Sequence, residues 1–97
     1  MFAPNRYRLT ATGYLPGAAA VGVEERIRAV VEGRVPDSDP AVSVALTDRV
    51  TVEFTVAAAS ATEARADGRD VALEVLQGAS PIALDAVQLL TPPRLPV

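Results

Sequence analysis

From Val50 to Gly78 the chain reads VTVEFTVAAASATEARADGRDVALEVLQG, and its hydrophobic period changes partway along. Val50, Val52, Phe54 and Val56 alternate with Thr51, Glu53 and Thr55, the period of a half-buried strand. Ser60-Ala61-Thr62-Glu63 then has the form of a capping box. The Ser60 hydroxyl is expected to accept from the Glu63 amide, and the Glu63 carboxylate to reach back to the Ser60 amide. Beyond it Ala64, Gly68, Val71, Ala72, Val75 and Leu76 recur at helical spacing. The pattern predicts a helix over Ala61 to Gln77, with Gly78 as its stop. A strand that runs into a helix leaves two apolar faces, and both need a covering layer.

The same switch occurs upstream. Tyr7, Leu9 and Ala11 alternate with Arg8, Thr10 and Thr12, predicting a strand that ends near Gly13. Leu15-Pro16-Gly17 is a turn signal. A helix near Val23 to Glu32 follows, its start lying anywhere from Ala18 to Val23 because Gly22 weakens the first turns, with Ala20, Val23, Ile27, Val30 and Val31 on one side and Gly33 as its stop. Pro36 to Pro40 encloses Asp37, Ser38 and Asp39 and reads as a loop. Val42, Val44 and Leu46 form a third apolar alternation. Setting Leu46 opposite Val50 and Val44 opposite Val52 keeps both strands in phase, through a three-residue connection Thr47-Asp48-Arg49. In the last strand, starting at Pro81, Ile82 and Leu84 set one phase and Val87 and Leu89 the other. Either a bulge lies near Asp85-Ala86 or the strand begins around Asp85.

The element order is strand, helix, strand, strand, helix, strand, in 97 residues that suit one domain. Residues 1–5 read as a loose arm and residues 91–97, with three prolines, as an extended tail. The economical arrangement is α+β: a ferredoxin-like βαββαβ two-layer sandwich, with a four-stranded antiparallel sheet in the order 4-1-3-2. Both helices would lie on one face. The core would draw on Leu9, Val23, Ile27, Val30, Val31, Val42, Val44, Val52, Phe54, Val56, Val71, Val75, Leu76 and Val87. In the runner-up arrangement the last strand pairs with a second subunit. The other sheet face would carry Arg8, Thr10, Thr12, Ser43, Ala45, Thr51, Glu53 and Thr55.

Composition narrows the chemistry. The net charge of −3 opposes a phosphate-neutralising nucleic-acid binder. His and Cys are absent, and all nine basic residues are Arg. Thiol catalysis, Schiff-base chemistry, a P-loop lysine and the usual general base are therefore missing. Asp37 and Asp39 are too few to hold a hard cation, and Asp67 and Asp70 suit a solvated helix face. Neither a metal nor a cofactor is expected. No apolar run matches a signal-peptide core or a membrane span, so a cytoplasmic protein without membrane contact is expected.

Arg8-Leu-Thr-Ala-Thr-Gly-Tyr-Leu-Pro-Gly-Ala, followed by a helix, resembles the first strand and loop of ACT domains, small ligand-sensing modules. That family usually reads Asp-x-Pro-Gly; here Pro16-Gly17 is kept and Tyr14 takes the place of the Asp. The resemblance implies ligand contacts at Tyr14, Leu15, Pro16 and Gly17. Acylphosphatases share the topology but need an Arg-bearing loop, and Gly13 to Val23 contains no Arg. An RNA-recognition sheet would need an aromatic pair, which this face lacks. The expectation is a non-enzymatic domain that binds its own copy or another protein through Arg8, Thr10, Thr12, Thr51, Glu53 and Thr55. The alternative is an ACT-like module sensing a small molecule.

Overall fold

The structure is a computed structural model that describes residues 5–77 and 82–90. Its elements are β1 (Asn5–Tyr14), α1 (Val23–Arg34), β2 (Ala41–Val44), β3 (Arg49–Ala58), α2 (Ala61–Val75) and β4 (Ile82–Leu90). Gly78, Pro81, residues 1–4 of the expected arm and the tail from Thr91 lie outside the described residues, while Asn5, the last residue of that arm, belongs to β1.

Both helix boundaries have local causes. Gly22 adopts φ 88, a left-handed conformation closed to most side chains, so α1 starts only at Val23. It passes through Gly33, which is therefore not its stop. The end comes at Val35, whose amide bonds to the Val31 carbonyl while its backbone turns extended. Pro36 follows and disfavours a helical Val35. In α2 the Ser60 hydroxyl accepts from the Glu63 amide at 3.2 Å. The Glu63 carboxylate accepts from the amide of Ala59, not of Ser60, so the box closes one residue further upstream.

The strands form an open antiparallel sheet in the order β2-β3-β1-β4. In the hairpin, Val44 faces Val50 and Val42 faces Val52, two residues away from the expected pairing. The phase survives, but the connection is Ala45 to Asp48 rather than Thr47 to Arg49. It is closed by Ala45 N–H to the Arg49 carbonyl and Asp48 N–H to the Ala45 carbonyl, both 2.9 Å. Asp48 takes φ 66, a conformation that Asp tolerates better than most residues where no glycine is available. Leu46 leaves the strand for the turn and is 97% exposed.

β4 resolves the two-phase problem with a bulge. Ala86 faces Thr10 and Leu84 faces Ala11, which leaves Asp85 as the extra residue. Val87 and Leu89 then stand opposite Leu9 and Tyr7, and Leu84 opposite Ala11, all in one phase. β4 pairs with β1 of its own chain along its inner edge.

α1 packs on β2, α2 on β1, β3 and β4, and the helices touch each other. Between them and the sheet lie Leu9, Ile27, Val31, Val42, Val52, Phe54, Val56, Val71, Val75 and Leu76, joined by Tyr7, Val50 and Ala64. Val23, Val44 and Val87 pack at the margin, whereas Val30 is exposed. Phe54 is fully buried, a burial that contributes on the order of 3 kcal/mol. Gly68 explains how α2 settles so low. A Cβ there would lie 3.0 Å from a Leu9 methyl.

Candidate functional site

Strand alternation places Arg6, Arg8, Thr10, Thr12 and Tyr14 of β1 beside Arg49, Thr51, Glu53, Thr55 and Ala57 of β3, on the face away from the helices. Arg8 stands at its centre. Its Nε donates to Glu53 Oε1 at 3.2 Å. Its Nη1 donates to Thr55 Oγ1 at 3.0 Å and to the carbonyls of Ser38 and Asp39 at 3.1 and 2.7 Å. The Arg8 side chain is only 17% exposed. Thr12 and Thr55 are buried, and Thr10, Thr51 and Glu53 are half-buried. All six residues expected on the interaction surface therefore lie together.

The loop 36–40 is drawn to this face from its side. Ser38 is buried, and its carbonyl also accepts from the Thr55 amide at 2.8 Å. Asp37 and Asp39 on either side have φ 63 and 47, both in the left-handed region. The sequence marks this segment as a loop but gives no hint that Arg8 gathers it in.

The four residues of the expected ligand loop do not act as one group. Tyr14 is the last residue of β1, half-exposed, in the phase of the open face. Leu15, Pro16 and Gly17 instead border a cavity of about 380 Å³ on the helix side, with Val23, Arg26, Ile27, Val30, Val75 and Gln77. A residue missed by the sequence reading fixes this loop: Asp48. Its carboxylate accepts from the amides of Gly17 and Ala19 at 3.2 and 3.0 Å, and its carbonyl from the amide of Leu15 at 3.0 Å. An acid in a glycine-free hairpin turn was the available signal. A larger, open depression of about 870 Å³ lies beside the end of α1, ringed by Arg6, Arg34, Asp37, Asp67 and Asp70 over Val35, Val56 and Val71.

Among the described residues no cluster of three or more His, Cys, Asp or Glu is placed to hold a metal ion. No helix among them is long and apolar enough to cross a membrane. The side chains that converge most closely, at Arg8, form a network that holds a loop, and the buried Ser38 hydroxyl in that loop has no hydrogen-bond partner among the described residues. No protein-family model, curated protein or solved structure matches the chain.

Proposed function

We propose that the chain is a ferredoxin-like domain of the cytoplasm that acts without catalysis, by binding protein through the open face of its sheet. The partner is its own copy or a larger protein. The observation that carries this reading is the commitment of Arg8 to Glu53, Thr55 and two carbonyls. The charge at the centre of the face is thereby neutralised from within, and Thr10 and Thr51 are its half-buried, accessible threonines. Such a surface costs less to desolvate than one with a bare guanidinium, because the Arg8 charge already has its partners. The test follows amide chemical shifts on dilution. Concentration-dependent shifts at Thr10, Thr12, Thr51 and Thr55 are expected, and Thr10→Arg should reduce them. Shifts that stay constant over the whole range would remove the own-copy form of this reading.

A second reading, the ACT-like sensor, is favoured by one observation. Leu15, Pro16 and Gly17 border an apolar cavity whose charged neighbour is Arg26. That combination suits a small molecule with an apolar body and a carboxylate. A thermal-shift screen with amino acids and nucleotides tests it, since a ligand at a hundred times its dissociation constant stabilises by about 2.7 kcal/mol. A shift abolished by a change at Gly17 would favour the sensor over the interaction module.

A further inference from the structure

An outer strand offers unpaired N–H and C=O groups, and soluble proteins normally blunt it with charge, proline or brevity. β4 carries none of these devices beyond its bulge. It runs for nine residues, Ile82–Leu90, and among the described residues only β1 pairs with it. Its sequence, Ile-Ala-Leu-Asp-Ala-Val-Gln-Leu-Leu, has one charged residue, at the bulge, and no proline. Past the bulge Gln88 and Leu89 are exposed, Leu89 by 50% although it stands opposite the buried Tyr7.

We propose that the free edge of β4 pairs antiparallel with β4 of a second copy, about a two-fold axis at Gln88, joining the two sheets into one of eight strands. A second copy is the occupant because the strand is self-complementary in this register, as a two-fold interface requires. Val87 of each chain meets Leu89 of the other, on the side of the sheet that carries Tyr7 and Leu9. The half-exposed leucines are covered, and each core extends across the seam. Ala86 meets Leu90, and Gln88 meets Gln88 on the open face, where the two amides can bond to each other. Asp85 falls beyond the paired stretch. Moving the axis to Val87 would set Val87 opposite itself and separate it from Leu89, leaving the half-exposed leucine without the partner's valine, and so disfavours that register. This inference goes beyond the open-face reading, since it uses the sheet's edge and names the partner.

The test is a charge exchange at the axis, read by sedimentation. Gln88→Lys and Gln88→Glu each set like charges directly opposite, and each should raise the dimer dissociation constant about fivefold. Mixed one to one, the variants should recover wild-type association or better. Leu89→Lys should weaken association about tenfold or more, by removing two apolar contacts per dimer. Gln88 is exposed, so its variants should keep the wild-type unfolding midpoint, and they decide the matter if Leu89→Lys fails to fold. A wild-type chain that stays monomeric into the millimolar range would overturn the proposal while leaving a larger partner for the open face. Association lost in Thr10→Arg but unaltered in the Gln88 variants would also overturn it, and would make the face the seam.

Discussion

β2 and β4 both bound the same sheet, yet β2 has four residues and β4 nine. β2 is also closed off at both ends. Before it, Asp37 and Asp39 take left-handed conformations, Pro40 removes a donor, and Arg8 holds the loop by two carbonyls. After it, Asp48 turns the chain and fastens the Leu15–Ala19 segment. β4 has a bulge at Asp85 and, beyond it, a run of uncharged residues. One edge is shortened by polar side chains that act through main-chain bonds. The other keeps its length, and among the described residues only β1 pairs with it. The proposed pairing gives this difference a use: the long edge is the one that meets a second copy, and the short one is left unpaired by it.

The largest effect on this contrast should come from Arg8→Ala. It removes four charge-assisted hydrogen bonds, releasing the loop 36–40 and leaving the Ser38 carbonyl with the Thr55 amide alone. A loss of about 2–3 kcal/mol is expected in urea unfolding, with faster amide exchange at Thr55 and little change in β4. Arg8→Lys should recover only part of this, because an ammonium lacks the planar fork that reaches several acceptors at once. Equal acceleration at both edges would dissolve the contrast. Asp48→Ala comes next, at about 2 kcal/mol: two amides lose their acceptor, and a residue less tolerant of φ 66 must adopt it. Asp48→Gly should cost less, because it loses the carboxylate but relieves the backbone.

These predictions rest on bonds that local sequence does not announce. The element order was legible because the period changes from two to nearly four at two places, and the apolar alternation of Val50 to Val56 matches the buried side of β3. The bulge at Asp85 was legible as one of two options, since a phase reversal within a strand requires either an extra residue or a late start. The hairpin register was not legible. Two pairings conserve its phase, and the choice depends on whether a turn without glycine closes over three residues or four. Val30 looked buried on periodicity, but it borders the cavity beside Leu15 and is 40% exposed. At the open face, the six residues could be placed together from alternation alone. That Arg8 ties Glu53 to the loop 36–40 could not, because those contacts span 30 to 47 residues of sequence. The role of Asp48 was hidden for the same reason, acting 29 and 31 residues away.

Helix α2 offers two smaller tests, both on the side of the sheet that includes β4. Gly68→Ala brings a methyl to 3.0 Å from Leu9, a fully buried side chain with little freedom to move aside. Overpacking of about 1–3 kcal/mol is offset by about 1 kcal/mol of helix propensity, so a net loss near 1 kcal/mol is expected. Because α2 packs on β1, β3 and β4, exchange should quicken in β4 and hold steady in β2. A stabilised Gly68→Ala would mean that Leu9 has room that its burial denies.

Ser60→Ala should have the smallest effect, and it serves as the control for the others. The hydroxyl accepts from the Glu63 amide at 3.2 Å in an exposed position, and the Glu63 carboxylate still holds the Ala59 amide after the change. The loss should therefore fall at the lower end of the usual range for a cap, about 0.5–1 kcal/mol. Thr62 lies within the first turn of α2, so Thr62→Ala should leave the urea midpoint nearly unchanged. A midpoint lowered by Thr62→Ala and untouched by Ser60→Ala would move the helix start. Neither substitution touches an edge strand, so the difference in amide exchange between β2 and β4 should persist in both. If it shrinks in Ser60→Ala, the edges respond to global stability, and the Arg8 and Asp48 effects must be read against that background rather than as local releases.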